Sequence, residues 1–272
     1  MIDRREHYLT YLLLGVFSVI ALVPIVGIVI TALQEQGSLS SFGEPAGIHP
    51  GNFADAWREG NFSNYLMSSA IVVVAVVTLS TLFSIMAGYA FGMMRFRGQQ
   101  VLFYLLLLGL MVPLEATIVP LYYDLRDLGL TDTYWSLIWP QVGVSVAFGT
   151  FWMRAFFRSV PRSLVEAARL DGSNSWHTLW RVVLPLGRPA VLTMMVLIFM
   201  WTWNEFLLAL VMVSDEDLRT APLGLAFFQG RNTTDFALLA AGSVIVATPV
   251  VILYVFLQRH FIRGMLTGAV KG

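Results

Sequence analysis

Two carboxylates stand where carboxylates are costly. Glu115 lies between Pro113 and Pro120 in one apolar stretch, and Glu205 follows Trp203-Asn204 in another. An ionised acid near mid-bilayer costs roughly 2.5–3.5 kcal/mol on insertion scales, and intramembrane charges usually face a bundle interior or a water-filled cavity. Together with Asn204 and the indoles of Trp201 and Trp203, the two acids can take hydrogen bonds from hydroxyls and cover apolar ring faces. That is the chemistry of a lining for a hydroxyl-rich solute. The same residues could equally tie helices together or touch a partner protein, and the sequence leaves both open.

Other reactive types are thinly spread. There is no cysteine, which excludes disulfides, thiolate metal sites and thiol catalysis. His7, His49, His177 and His260 stand singly, without the spacing of a metal-binding pair, so no metal site is expected. No Gly-x-x-x-x-Gly-Lys-Ser/Thr phosphate loop occurs, and the only lysine is Lys271. No nucleotide or other cofactor is therefore expected on this chain. No apolar stretch holds a histidine, which removes an intramembrane serine protease. Asp171-Gly172 near Arg169 lacks the further aspartates that hold metal in lipid-headgroup transferases.

The elements that must position these residues belong to a membrane protein. The 272 residues are 57% hydrophobic and 12% charged, with mean hydropathy +0.72, whereas a soluble domain carries about 25% charged residues. Net charge is zero, so nothing favours nucleic acid. Six stretches approach the roughly 20 apolar residues that cross a bilayer: residues 8–33, 65–94, 101–123, 135–153, 190–213 and 236–257. The first exceeds the roughly 7–15 residues of a signal-peptide core and has no small-x-small site after it, so it reads as a retained anchor. With the N-terminus in the cytoplasm, 13 of the 17 Lys and Arg residues fall inside, and only Arg58, Arg126, Arg219 and Arg231 fall outside. The expected fold is a single all-α polytopic membrane domain over residues 1–272. It has six transmembrane helices, both termini cytoplasmic, and a short amphipathic piece around residues 53–57. Trp135 and Trp139 read as interfacial anchors in the surrounding lipid.

The connection between the fourth and fifth stretches, about residues 158–189, has its own local grammar. Ser163 followed by Glu166 is a capping-box pattern that predicts a helix from Leu164. Asp171-Gly172 should stop it, with Gly supplying a left-handed turn. Ser173 or Ser175 can cap a second helix over residues 176–184, which Pro185 should end. The expectation is a cytoplasmic helix–turn–helix, with Arg158, Arg162, Arg169 and Arg181 around it.

Within it, Glu166-Ala167-Ala168, three residues, Gly172, nine residues, Val182, one residue and Leu184-Pro185 resemble the EAA loop of ABC-importer permeases. That family usually has Ile where Val182 stands. Gly88-Tyr89-Ala90-Phe91 with Arg95-Phe96-Arg97-Gly98, the run Trp201-Thr202-Trp203-Asn204-Glu205-Phe206, and the tail Gly268-Ala269-Val270-Lys271-Gly272 resemble the smaller permease of maltose-type transporters. The resemblance implies a type I ABC importer permease in a bacterial plasma membrane, of the carbohydrate-uptake branch. It implies that Glu166, Ala167, Ala168, Asp171, Gly172, Leu184 and Pro185 couple the chain to an ATPase, with Gly268, Lys271 and Gly272 turned toward that ATPase. Implied partners are a second homologous permease, two ATP-binding-cassette subunits carrying ATP and Mg, and an extracytoplasmic solute-binding protein. A secondary transporter would also fit the hydropathy, but such folds often show paired halves, and no matching halves are visible. Mono-, di- and oligosaccharides, polyols and glycerol phosphodiesters all remain open as solutes.

Overall fold

The computed structural model describes residues 4–36, 47–226 and 235–269, with side-chain surroundings for 8–36, 47–226 and 235–258. The described residues are helical and contain no strand. In lipid every backbone N–H and C=O must be satisfied within its own segment, and a helix does this without a partner. Three helices are long and apolar enough to cross a bilayer alone: Tyr8–Ala32, Phe62–Met93 and Phe236–Gln258. Two bent pairs, Gln99–Met111 with Leu114–Asp127 and Ser175–Leu186 with Arg188–Trp203, raise the number to at most five if each pair is one span.

The chain forms two compact units, residues 1–63 with 223–249 and residues 64–222 with 250–272. In the first unit, α1 (Arg4–Ala32) is followed by the short amphipathic α2 (Gly51–Glu59), where the sequence predicts one. Their junction is fixed by one side chain. Asn52 Nδ2 donates to the carbonyls of Ala32 (3.0 Å) and Gln34 (2.7 Å), two acceptors left open at the end of α1. A small-residue core of Ala32, Ala56, Leu238, Ala240 and Ala241 lies beside it, with Phe53 and Ile245 packed against it. Almost the whole of α1 before this junction is exposed.

In the second unit, α3 (Phe62–Met93) meets α6 (Tyr134–Ser159) along a ridge of small residues. Ser80, Ser84, Gly88 and Gly92 recur every fourth residue, so they share one face of α3. A Cβ at Gly88 would stand 2.6 Å from Met153 Cβ, and one at Gly92 2.9 Å from Phe157 Cβ. From the other side, a Cβ at Gly149 would collide with Ser84 and reach 2.9 Å from Met194 Sδ. The hydroxyls of Ser80 and Ser84 are buried without a hydrogen-bond partner, so these serines serve the seam by their small volume. Tyr89 and Phe157 close it edge to face at 5.5 Å. Ser136, Gln141, Ser145 and Thr150 of α6 are all buried.

Several helices are broken. Residues 101–123, which read as one span, divide into α4 (Gln99–Met111) and α5 (Leu114–Asp127), which meet at 97°. Val112 and Pro113 are both extended there, because a proline pushes the residue before it out of helical conformation. The loop then crosses to a chain segment far away in sequence: Asp132 Oδ1 accepts from the N–H groups of Ser214 (2.6 Å) and Asp215 (2.9 Å). Asn64 Nδ2 donates to Asp217 O at 2.9 Å, tying the start of α3 to the same segment. Farther along α6, Trp152 Nε1 donates to Ala190 O at 2.9 Å, and Arg154 donates to Phe91 O at 3.2 Å with its guanidinium 4.0 Å above the Phe103 ring.

Two glycines on α6 make the seam testable. Gly149→Ala should destabilise the purified chain by about 1–3 kcal/mol through overpacking. Gly143→Ala, on the same helix with nothing within 4 Å, should leave stability unchanged or slightly raised. Thermal unfolding in detergent reads both, and equal effects would remove the seam as the organising contact.

Candidate functional site

The hairpin begins at Val160 and Pro161, both extended, and α7 runs over Arg162–Leu170 with Pro161 at its N-cap. The helix therefore starts two residues earlier than the predicted Leu164. Ser163 lies inside it, and no side chain caps its start. Proline supplies the fixed backbone angle at this end, and Leu164 N–H donates to Pro161 O at 3.2 Å instead of to a capping side chain. Glu166 is consequently not used in a cap and is exposed.

The C-terminal end follows the sequence closely. Gly172 has φ +80°, Gly172 N–H donates to Arg169 O (3.0 Å) and Ser173 N–H to Ala168 O (2.9 Å). This is a Schellman motif, and the left-handed residue in it favours glycine. Ala168 faces inward at 7% exposure, whereas Ala167, Asp171 and Gly172 are exposed.

The second arm is capped by Asn174 and not by either serine: its Oδ1 accepts from His177 N–H at 2.9 Å. After α8 (Ser175–His177) comes a π-helical turn, Thr178–Val183, then α9 (Leu184–Leu186). The helical path continues through Pro185 and breaks at Gly187, two residues beyond the predicted stop. A π turn just before the proline relaxes the i→i−4 ladder that the ring would otherwise block. Gly187 packs face-on against α6, since a Cβ there would stand 2.5 Å from Phe156 Cε1. The chain then turns by 82° into α10 (Arg188–Trp203). Thr178, Leu179 and Val183 are buried between the arms. Leu184 is half-buried and Pro185 exposed.

Two residues that sequence reasoning missed stand at the tip. Leu170 is 90% exposed and Trp176 57% exposed. Each reads in the sequence as ordinary core material, and only the turn at Gly172 directs both away from the hairpin interior. Trp176 packs on the ring of Trp180 at 5.5 Å.

The intramembrane set separates into two groups. Trp201 is 52% exposed, with the Phe148 ring edge-on at 4.7 Å, and Asn204 is exposed with its Nδ2 bonded back to Met200 O. Trp203 is buried and stacked on Phe199 at 5.6 Å. The helix breaks after Trp203, and Glu205 Oε1 accepts from Leu208 N–H at 2.7 Å, capping the start of α11 (Leu207–Met212). Glu205 also lines a small cavity of mixed polarity with Ser69, Val72, Leu137, Gln141, Thr202 and Thr220; the cavity lining does not include Glu115, Trp201, Trp203 or Asn204. Glu115 is exposed in the first turn of α5. Both acids thus sit at helix N-termini created by breaks, where the helix dipole favours negative charge. After the acidic turn Glu216–Leu218 and α12 (Ala221–Leu225), the last helix, α13 (Phe236–Ala269), includes Gly268, while Lys271 and Gly272 lie outside the described residues.

Residues 80–267 match the model of the binding-protein-dependent transport system inner membrane component. The chain is 36% identical over 275 residues to the probable ABC transporter permease protein YurM of Bacillus subtilis, covering 99% of this chain and 91% of that protein. It is 31% identical to the diacetylchitobiose uptake system permease protein NgcG of Streptomyces coelicolor, over 99% of this chain and 90% of that one. Among solved structures it resembles a chain of a bacterial ABC transporter involved in the import of the acidic polysaccharide alginate, with TM-score 0.77 and 25% identity, covering 96% of this chain and 99% of that chain. The chain belongs to the family of inner-membrane components of binding-protein-dependent transport systems.

Proposed function

We propose that this chain is one of two permease subunits of an ATP-driven sugar importer, and that α7–α9 is the lever through which a separate ATPase moves it. One observation carries the reading. The hairpin presents Leu170 and Trp176 outward and continues through a single bend at Gly187 into α10, the helix that ends at Trp201–Trp203. A partner that grips the tip therefore acts on the residues proposed for the solute path through one continuous element. Such motion of a rigid element, driven by ligand binding elsewhere, is a common form of domain coupling.

The partners are proposed on the same footing: a second homologous permease, two ATP-binding-cassette subunits that hold ATP and Mg, and a solute-binding protein outside the membrane. Six crossings with both termini cytoplasmic accord with the placement of arginines. The bent pairs α4–α5 and α8–α10 are then read as the third crossing and as the hairpin leading into the fifth. The C-terminal residues Gly268, Lys271 and Gly272 are assigned to the ATPase side by resemblance. Glu166, Ala167 and Asp171 form the exposed polar and small surface of the lever, while Ala168, Leu184 and Pro185 shape it.

A sugar is the preferred solute class because relatives named for diacetylchitobiose and alginate transport match nearly the full chain, and because Trp201, Asn204 and Glu115 offer exposed ring-stacking and hydroxyl-binding groups. Polyols and glycerol phosphodiesters are the alternatives.

Replacing Gly172 by Val should abolish co-purification of the ATPase and solute uptake, because the left-handed turn is closed to a β-branched residue. Gly172→Asn, which tolerates that conformation, should retain much of both. Leu170→Asp should weaken ATPase capture without changing the melting temperature of the isolated chain; intact capture would sink the lever reading. For the break after Trp203, Glu205→Gln keeps a capping oxygen and should preserve stability and uptake. Glu205→Ala should lose about 1 kcal/mol. Uptake abolished by Glu205→Gln at normal stability would instead make its charge part of the path.

A further inference from the structure

The cavity beside the break after Trp203 is too small for any solute. It leaves about 10 Å³ for the centre of a water molecule, the lower end of what one water needs. Five polar side chains border it: Ser69 of α3, Gln141 of α6, Thr202 and Glu205 on either side of the break, and Thr220 just before α12. Ser69, Gln141, Thr202 and Thr220 are all buried, and Glu205 is half-buried. Val72, Leu137 and Ala209, the apolar part of the wall, are buried as well.

The direct hydrogen bonds of the wall leave a matched set of groups over. Thr220 is 7% exposed and its Oγ1 is buried with no hydrogen-bond partner, a state that costs free energy unless a ligand answers it. Ser69 Oγ accepts from Ala221 N–H at 2.9 Å, which leaves its own proton to give. Gln141 Nε2 donates to Leu137 O at 2.9 Å, which leaves Oε1 to accept. Glu205 Oε1 accepts from Leu208 N–H at 2.7 Å, which leaves Oε2. Two hydroxyl donors and two oxygen acceptors therefore border one water-sized space. A water gives two hydrogen bonds and takes two, so it answers all four groups. A cation uses acceptors alone and would leave both hydroxyl protons without one.

We propose that this cavity binds one structural water, which joins Glu205 to Gln141, Ser69 and Thr220. Ordered water is one of the means by which a broken helix in a membrane satisfies the groups that the break sets free. Here it fixes the end of α10 against α3, α6 and the segment before α12. The inference depends neither on the hairpin's coupling to an ATPase nor on the identity of the solute.

The test begins with an experimental structure of the purified transporter at a resolution that shows ordered water. One peak should stand about 2.5–3.0 Å from both Thr220 Oγ1 and a Glu205 carboxylate oxygen. A well-ordered cavity without a peak overturns the site, and so does a peak ringed by oxygens all closer than about 2.5 Å, which is a cation. Thermal unfolding of the full chain in detergent gives a second reading. Thr220→Val keeps the shape, removes the donor and should lower the melting temperature by about 2–4 °C. Val72→Ile adds a methylene to the wall, displaces the water and should cost a similar amount. Because both variants lose the same water, their losses should not add when combined. Thr248→Val, whose exposed hydroxyl bonds only Val244 O of its own helix, should shift nothing. Additive losses, an unchanged Thr220→Val protein, or a Val72→Ile protein that melts higher than wild type overturn the proposal. Should the variants fail to fold, the peak in the wild-type structure decides alone.

Discussion

Close approach of two helix backbones organises the larger unit. Lipid chains are as apolar as leucine, so helices in a bilayer gain little from hiding apolar surface from each other. They associate through packing, and small residues let the backbones come near enough for packing to matter. The four-residue recurrence Ser80-Ser84-Gly88-Gly92 on α3, opposed by Gly149 on α6, is a seam of this kind. Because α6 is held here, its far end can carry Phe156 against Gly187, and the bend into α10 is set by that contact. The hairpin's direction therefore depends on a seam that runs up to Phe157, the neighbour of Phe156.

A second regularity concerns polar groups at helix breaks. At two helix ends a side chain bonds the exposed backbone, and at a third an acid stands in the first turn. Asn52 takes the carbonyls at the end of α1, and Glu205 takes an N–H at the start of α11. Glu115 stands in the first turn after the Pro113 bend. A carboxylate inside an apolar run looks like a solute-binding group when the run is taken as one continuous helix. Once the run is broken, the same carboxylate has a local reason to be there.

That is also where the sequence was least legible. Apolar length and arginine placement indicated helices close to α1, α3 and α6, and Asp171-Gly172 foretold the left-handed turn, because these signals are local and strong. The start of α7 is hard to place from sequence because Ser163 and Glu166 fit a capping pattern, whereas the helix begins two residues earlier, after Pro161. Pro185 reads as a stop because a proline normally breaks an α-helix, and nothing in the residue types announces the π turn that accommodates it. The exposure of Leu170 and Trp176 could not be read at all, since it is decided by the direction in which the turn sends the second arm.

The exposed α1 has a consequence for the membrane itself. Its apolar part, Tyr8–Ala32, is 25 residues, about 37 Å as a helix, against a hydrocarbon layer of about 30 Å. With so little of its surface covered by the rest of this chain, it is not held upright by its own neighbours. The excess length is relieved by leaning or by drawing lipids into a locally thicker collar. Either response costs a fraction of a kcal/mol per Å, and the cost falls as the bilayer thickens. A host membrane rich in long acyl chains therefore suits this helix better than a thin one, so acyl-chain length becomes a variable of the protein's own stability.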